Sequence, residues 1–269
     1  MRQRLAGKRV WISGASSGLG EAMAVWAADH GATCVLSARS ADKLEALRSR
    51  LGPDDRGHLA LPLDLTRPAG FAAAVAQAGA VDYLINNGGI SQRATAMDTT
   101  PETVRRVMET NFFGHVELTR LVLPGMVARG GGHVAVTSSV VGHIGTPMRS
   151  AYAASKHALH GYYDSLRYEV ERHGIGVTII CPGYIHTDIS VNAVTGDGSA
   201  QGTMDRNQAQ GMSAEDFAEK AWRGLLAGKP ELHIGGTELA GIYLGRFAPG
   251  LLRRIVRSRP WDGEPVNQT

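Results

Sequence analysis

The sequence predicts a single-domain α/β protein, a doubly wound parallel sheet of about seven strands with helices on both faces. Three observations point there. Short apolar runs rich in β-branched residues alternate with longer stretches of helical period, the pattern of successive βαβ units. The runs are apolar at consecutive positions rather than at every second one, as strands buried on both faces are. The first run leads through a glycine-rich turn directly into a helix. Right-handed crossovers then place helices on both sides of the sheet.

Taken in order, the strand runs are 8–14 (KRVWISG), 32–38 (ATCVLSA), 58–64 (HLALPLD), 81–86 (VDYLIN), 133–138 (HVAVTS) and 176–181 (GVTIIC). A later run, 231–234 (ELHI), adds a seventh. Helical stretches fall between them at 19–30, 41–51, 101–129 and 151–173. No internal repeat or linker interrupts the chain. Residues 192–211 (NAVTGDGSAQGTMDRNQAQG) are irregular and polar; segments of that length in compact domains are functional or disordered. A lid over a pocket is the preferred reading, plain surface disorder the other. The expected organisation is a catalytic domain over 1–236 and a C-terminal extension over 237–269.

Composition narrows the function classes. Of 269 residues 43% are hydrophobic and 20% charged, which excludes collagen-like and strongly charged disordered chains. Glycine, at 34 residues, stands at about twice its usual ~7%, so many positions turn tightly or approach something closely. Cys34 and Cys181 sit in apolar runs and read as buried reduced thiols rather than a disulfide framework. No signal peptide is read, and no run of 18 apolar residues occurs; a soluble, cytoplasmic protein is expected. The net charge of +3 is local. Between Glu238 and Asp262 lie Arg246, Arg253, Arg254, Arg257 and Arg259 with no acid, and the rest of the chain carries 23 basic against 25 acidic side chains. That balance gives no case for nucleic-acid binding.

The turn after the first run reads Ser13-Gly14-Ala15-Ser16-Ser17-Gly18-Leu19-Gly20. Its spacing, G-x-x-x-G-x-G, differs from the G-x-G-x-x-G dinucleotide fingerprint, but the physical logic is shared. Glycines permit close approach, and a helix N-terminus favours a pyrophosphate. Gly14, Ser16, Ser17, Gly18, Leu19 and Gly20 are therefore candidate cofactor contacts. The end of the second run discriminates between nicotinamide cofactors, because an acid there suits a ribose 2′-hydroxyl and an arginine a 2′-phosphate. The chain reads Ser37-Ala38-Arg39-Ser40, with no acid until Asp42. Arg39, with a planar fork of donors, and Ser40 predict NADP(H) over NAD(H).

Tyr152 and Lys156 stand four residues apart on one predicted helical face. A nearby cation favours phenolate and lowers a tyrosine pKa, which suits proton exchange with a carbonyl or alcohol oxygen. Ser139, thirteen residues upstream at the end of the fifth run, could hold the same oxygen. With Asp64 in LDL, Asn86-Asn87-Gly88-Gly89, Asn111, Ser138-Ser139 and Cys181-Pro182-Gly183 through Thr187, the combination resembles the short-chain dehydrogenases/reductases, over nearly the whole chain.

That resemblance implies a Rossmann-type sheet and a role for each matching position. Tyr152 would be the general acid in reduction and base in oxidation, Lys156 its electrostatic partner and a ribose ligand, and Ser139 the polariser of the carbonyl. Asn111 would support a proton relay to the lysine. Asp64 and Leu65 would contact the adenine, and Asn87, Gly88 and Gly89 would lie along the cofactor. Pro182, Gly183, Ile185 and Thr187 would hold the nicotinamide end. Ser13 stands where threonine is usual, and Gly88 where alanine is usual. Longer stretches, NGGISQR, VMETN, RSAYAASKHA and PGYIHTDISVNAVT, look like the family's member 7 and 7B branch. The animal members of that branch carry an N-terminal membrane segment, which is not read here. The branch implies NADPH-linked reduction of lipophilic ketones or aldehydes, with acyl-dihydroxyacetone phosphate, retinal and steroid ketones as candidates. The alternatives are 3-oxoacyl-thioester or acyl-dihydroxyacetone-phosphate reduction, an epimerising role, and a non-catalytic NADP(H)-binding sensor or scaffold. Similar proteins pair through the helices at 101–129 and 151–173, so a homodimer or homotetramer is expected.

His143 and Met148 lie between Ser139 and Tyr152 and are candidate substrate contacts, as is Tyr184 after the Pro182-Gly183 turn. His186 reads as a surface group. The ten histidines show no H-x-x-x-H and the cysteines no C-x-x-C, so no metal site is indicated. In residues 251–257, Leu251, Leu252, Ile255 and Val256 share one helical face and Arg253, Arg254 and Arg257 the other. Such a helix could rest on an anionic membrane surface, on a partner subunit, or on the body of the protein.

Overall fold

A computed structural model describes residues 5–52 and 56–258; Arg259 and the residues after it lie outside the described residues. Seven parallel strands run in the order β3-β2-β1-β4-β5-β6-β7. They are β1 Arg9–Ser13, β2 Thr33–Ser37, β3 Leu59–Ala60, β4 Tyr83–Asn86, β5 Gly132–Thr137, β6 Ile175–Pro182 and β7 Glu231–Ile234. The chain winds outward from β1 to β3, returns to β4 beside β1, and then winds the other way. That reversal opens a crevice at the carboxyl ends of β1 and β4, where ligands bind in sheets of this kind.

One core lies on each face of the sheet. Val10 and Ile12 of β1 point into the first, Trp11 into the second, the two-residue alternation of a strand covered on both sides. Helices α1 (Gly18–Asp29), α2 (Ala41–Arg50) and α8 (Ala214–Leu226) close the first with Met23, Leu44, Phe217 and Trp222. Helices α3 (Phe71–Ala78), α5 (Gly114–Arg129) and α6 (Ser150–Val170) close the second with Phe71, Leu118, Tyr163 and Leu166. Both buried indoles find acceptors, Trp11 Nε1 at Ser37 Oγ (2.9 Å) and Trp222 Nε1 at the Met23 carbonyl (3.0 Å), so neither core carries an unpaired N–H there.

Two elements depart from expectation. The third strand is two residues long rather than seven, since Pro62 supplies no ladder N–H, although Leu61 and Leu63 still donate to the β2 side. The stretch 101–129 is not one helix. A π-turn at Glu109–Phe113 separates α4 (Pro101–Met108) from α5. Residues 192–211 are ordered: Val194 bridges to Gln92 and to Ala200, and α7 (Arg206–Ala209) follows.

Candidate active site

A cavity of about 1230 Å³ runs along the carboxyl ends of the strands, from the glycine turn to the C-terminal helices. Its first end is built by backbone. Gly14 has φ +69°, and a Cβ there would lie 2.5 Å from Gly88 Cα, so this position needs glycine for both conformation and space. Ser13 Oγ accepts from the backbone N–H of Asn87 (3.1 Å) and of Gly88 (3.2 Å), pinning the end of β1 to the turn after β4. The hydroxyl that replaces the usual threonine is thereby used. Asn87 Nδ2 donates to the Gly14 carbonyl (3.4 Å), and Thr137 Oγ1 donates to Asn87 Oδ1 (3.2 Å).

The donor set at this end fits a dinucleotide. The N-terminus of α1, with Ser16, Ser17, Gly18 and Leu19, faces the cavity, and the Ser17 side chain caps none of its N–H groups. Arg39 and Ser40 line the cavity beyond β2, joined by Lys43, a cation that sequence reading missed. Asp64, Leu65, Gly88 and Gly89 form the next stretch of wall. Burial pushes the Asp64 carboxyl up, but hydrogen bonds from the Thr66 N–H (3.0 Å) and hydroxyl (2.8 Å), with Arg39 and Arg67 nearby, hold it below its ordinary value. Pro182, Gly183, Tyr184, Ile185 and Thr187 line the cavity farther on. Glu238 organises their turn, accepting from the N–H of Tyr184 (2.8 Å) and of Gly236 (2.9 Å). Gly20 lies behind the wall, within α1.

Helix α6 delivers Tyr152 and Lys156 to the centre of the cavity. Gln92 Oε1 accepts from the N–H of Ala151 (2.8 Å) and Tyr152 (3.3 Å), satisfying first-turn donors that have no partner within a helix. Lys156 Nζ donates to the Thr137 carbonyl (2.7 Å) and lies 5.6 Å from the centroid of the Tyr152 ring. Burial brings this lysine from 10.5 down to about 8, with Cys181 acting weakly the other way. The phenol behaves differently from the expectation drawn from the Tyr–Lys spacing. Burial pushes Tyr152 above its ordinary value, against downward pulls from Arg149, a Ser139 hydrogen bond and Arg93. In this state Tyr152 is a protonated phenol, a proton donor. Ser139 caps the 3-10 turn Val140–Gly142, its Oγ accepting from the Val141 N–H (3.4 Å).

Asn111 sits in the π-turn and is fully buried. Its Oδ1 accepts from the Ile90 N–H (2.8 Å), and its Nδ2 donates to the Ile90 carbonyl (2.9 Å) and to Ser155 Oγ (3.0 Å). Ser155 in turn donates to the Tyr152 carbonyl (2.7 Å). Asn111 thus braces the helix that carries the tyrosine, and is not itself among the residues lining the cavity.

Of the three candidate substrate contacts, Tyr184 lines the cavity and the other two do not. His143 Nε2 lies 2.7 Å from Glu231 Oε1. Met148, at φ +61°, offers its carbonyl to the Ala94 N–H (3.1 Å). Two arginines that sequence reading passed over stand in the wall instead, Arg93 and Arg149. Both pair with Asp205, Arg149 at 3.2 Å, which fastens the 192–211 segment over the cavity. The far wall is apolar, made by Leu244 of α9 (Ala240–Phe247) and by Leu252, Ile255 and Val256 of α10 (Pro249–Ser258). Arg253, Arg254 and Arg257 are exposed. Of the three placements considered for this helix, the structure has it on the body, roofing the cavity.

The short chain dehydrogenase family pattern matches residues 8–197, the part holding the glycine turn, Ser139, Tyr152 and Lys156; the chain belongs to this family and is an oxidoreductase. It is 44% identical over 270 residues to dehydrogenase/reductase SDR family member 7B of Bos taurus, covering 96% of this chain and 83% of that one. It is 40% identical over 267 residues to the family protein 7-like of Drosophila melanogaster, covering 96% and 82%. Among solved structures, a short-chain dehydrogenase from Streptomyces avermitilis superposes with a TM-score of 0.79 at 30% identity, covering 93% of this chain and 98% of that one. One from Sphingobium yanoikuyae, in complex with NADPH, gives 0.75 at 27% identity, covering 97% and 100%. No helix among the described residues is long and apolar enough to cross a membrane.

Proposed function

We propose that the protein is an NADPH-dependent carbonyl reductase, reversible as an alcohol dehydrogenase, acting on a lipophilic ketone or aldehyde. The observation that carries this reading is one continuous cavity with three chemically distinct parts. Arg39, Ser40 and Lys43 stand at one end, Tyr152 and Ser139 at the centre, and the apolar wall of α9 and α10 at the other.

A bound reduced nicotinamide supplies the hydride that reaches the carbonyl carbon. Tyr152 gives its phenolic proton to the carbonyl oxygen, and the downward pulls of Arg149, the Ser139 hydrogen bond and Arg93 ease that transfer against the cost of burial. The Ser139 hydroxyl donates to the same oxygen as negative charge develops there. Lys156, held by the Thr137 carbonyl, supplies positive charge that stabilises the phenolate left behind. Gly14, Ser16, Ser17, Gly18 and Leu19 would hold the pyrophosphate of a bound dinucleotide, and Arg39 with Ser40 would hold a 2′-phosphate. Asp64 and Leu65 would contact the adenine, and Gly183, Ile185 and Thr187 the nicotinamide end. The similarity to a structure solved with NADPH supports the choice of cofactor.

The protein works as a homo-oligomer in the cytoplasm, with residues 1–236 carrying the chemistry and the extension shaping the substrate end. The test is oxidation of NADPH and of NADH across ketones and aldehydes graded by size and apolarity, with acyl-thioesters and lipid phosphates included. Turnover with NADPH that rises with apolar size is expected. A preference for NADH, or for short polar carbonyls, overturns the reading.

A further inference from the structure

We infer that His143, Cys181, Glu231 and His233 form a zinc site, separate from the cavity, at the β6–β7 edge of the sheet. The four residues come from three distant points in sequence. Cys181 and His233 are register partners on the adjoining strands, so their side chains leave the same face of the sheet. Glu231 is two residues before His233, on that same face. His143 ends the turn that follows β5 and reaches across to them.

The donor atoms already converge. His143 Nε2, His233 Nε2 and Cys181 Sγ lie 2.7, 3.1 and 3.4 Å from Glu231 Oε1, and Cys181 Sγ lies 3.6 Å from His143 Nε2. One ligand atom from each residue falls within 4.8 Å of all the others. Tetrahedral zinc, with bonds of about 2.0–2.3 Å, separates its ligands by roughly 3.3–3.8 Å, so the ion needs only small side-chain adjustments. Three of the four side chains are partly exposed on the edge strand and its neighbouring turn, which gives the ion an entry path and lets the carboxylate step outward.

The donor set selects the metal. Two imidazoles and a thiolate are borderline-soft ligands that favour zinc over magnesium or calcium. One thiolate and one carboxylate carry two negative charges, so the occupied site is neutral. Binding releases the Cys181 thiol proton to solvent, while both imidazoles bind as neutral ligands. Tyr243 Oη lies 3.5 Å from His233 Nδ1, where it can hold the ring that offers Nε2 to the metal. Coordination fastens the turn beginning at Ser139 to the last two strands, so the ion acts on structure rather than on the reacting carbonyl.

The full chain, dialysed against EDTA under reducing conditions, is titrated with zinc against a chromogenic chelator and, in parallel, with cobalt(II). One equivalent per chain is expected, with cobalt giving an intense tetrahedral spectrum and a thiolate charge-transfer band. Cys181→Ser should abolish that band and weaken zinc binding by about 100-fold or more. His233→Gln, at a half-buried edge position, should weaken it comparably and keeps the test intact if the cysteine variant misfolds. Tyr243→Phe should cost about tenfold. Absence of saturation at one equivalent, a weak octahedral cobalt spectrum, or unchanged zinc affinity in the His233 variant overturns the inference.

Discussion

The buried ammonium of Lys156 makes stability a readable function of pH. The side chain is 3% exposed, and burial lowers it from 10.5 to about 8. In the unfolded chain it stays protonated to higher pH, so between those values the unfolded state binds more protons than the native state. Stability therefore rises with pH across that window. Below about pH 8 both states are charged and the native state bears the full cost of the buried cation. Each pKa unit is worth roughly 1.4 kcal/mol, so the change should total about 3 kcal/mol, with about 2 kcal/mol reached by pH ~9.5. The comparison is Lys156→Met, which keeps the length of the side chain and removes the charge. Losing the hydrogen bond to Thr137 gives that variant a pH-independent offset, so the slope carries the prediction. Urea unfolding of both proteins without cofactor at several pH values measures it. The stability of wild type relative to Lys156→Met should climb through the window; a difference that stays flat refutes the argument that burial sets the lysine's charge.

Tyr152→Phe should lower kcat by at least about a hundredfold while leaving NADPH affinity, followed by fluorescence, within about threefold. Gly14→Ala places a methyl against the Gly88 backbone at a positive φ and should cost about 2 kcal/mol or more, seen as a thermal midpoint about 5 °C lower. Asp205→Ala releases Arg93 and Arg149 and should cost about 2 kcal/mol at neutral pH, with a raised KM for the carbonyl substrate. Asp205 is held below its ordinary 3.8, so its contribution is complete above that pH and is lost as the pH falls below it. The two proteins should converge in acid denaturation, and a gap that persists there would count against the ion pair.

The fold was legible because its signals are local. Strand runs such as TCVLS and GVTIIC are short, apolar and β-branched, and each helix between them is long enough to cross back. The tyrosine, lysine and serine were legible because one helical turn and one strand end set their spacing. What the sequence hid depends on contacts between distant residues. Arg93 meets Asp205 across 112 positions, and no periodicity marks such a pair. The Tyr–Lys spacing predicts a lowered Tyr152, whereas desolvation, which spacing does not reveal, raises it. His143 lies in the right interval for a substrate contact, yet a turn of three residues swings it to Glu231. The stretch 101–129 reads as one helix, and its pattern does not mark the π-turn at Glu109–Phe113, which carries the buried Asn111.

The apolar roof made by α9 and α10 has an architectural consequence. The residues assigned to proton transfer and dinucleotide contact end at Thr187, whereas Leu244, Leu252, Ile255 and Val256 come from the last described helices. On the proposed reading, the apolar part of the substrate wall therefore lies in a separate stretch of the polypeptide from the proton donor and the dinucleotide contacts. Substitutions in the roof can redraw the shape of the accepted molecule while the proton donor, its lysine and the glycine turn stay untouched. On that reading, a chain arranged this way can acquire a new preference by changing its last described turns of helix.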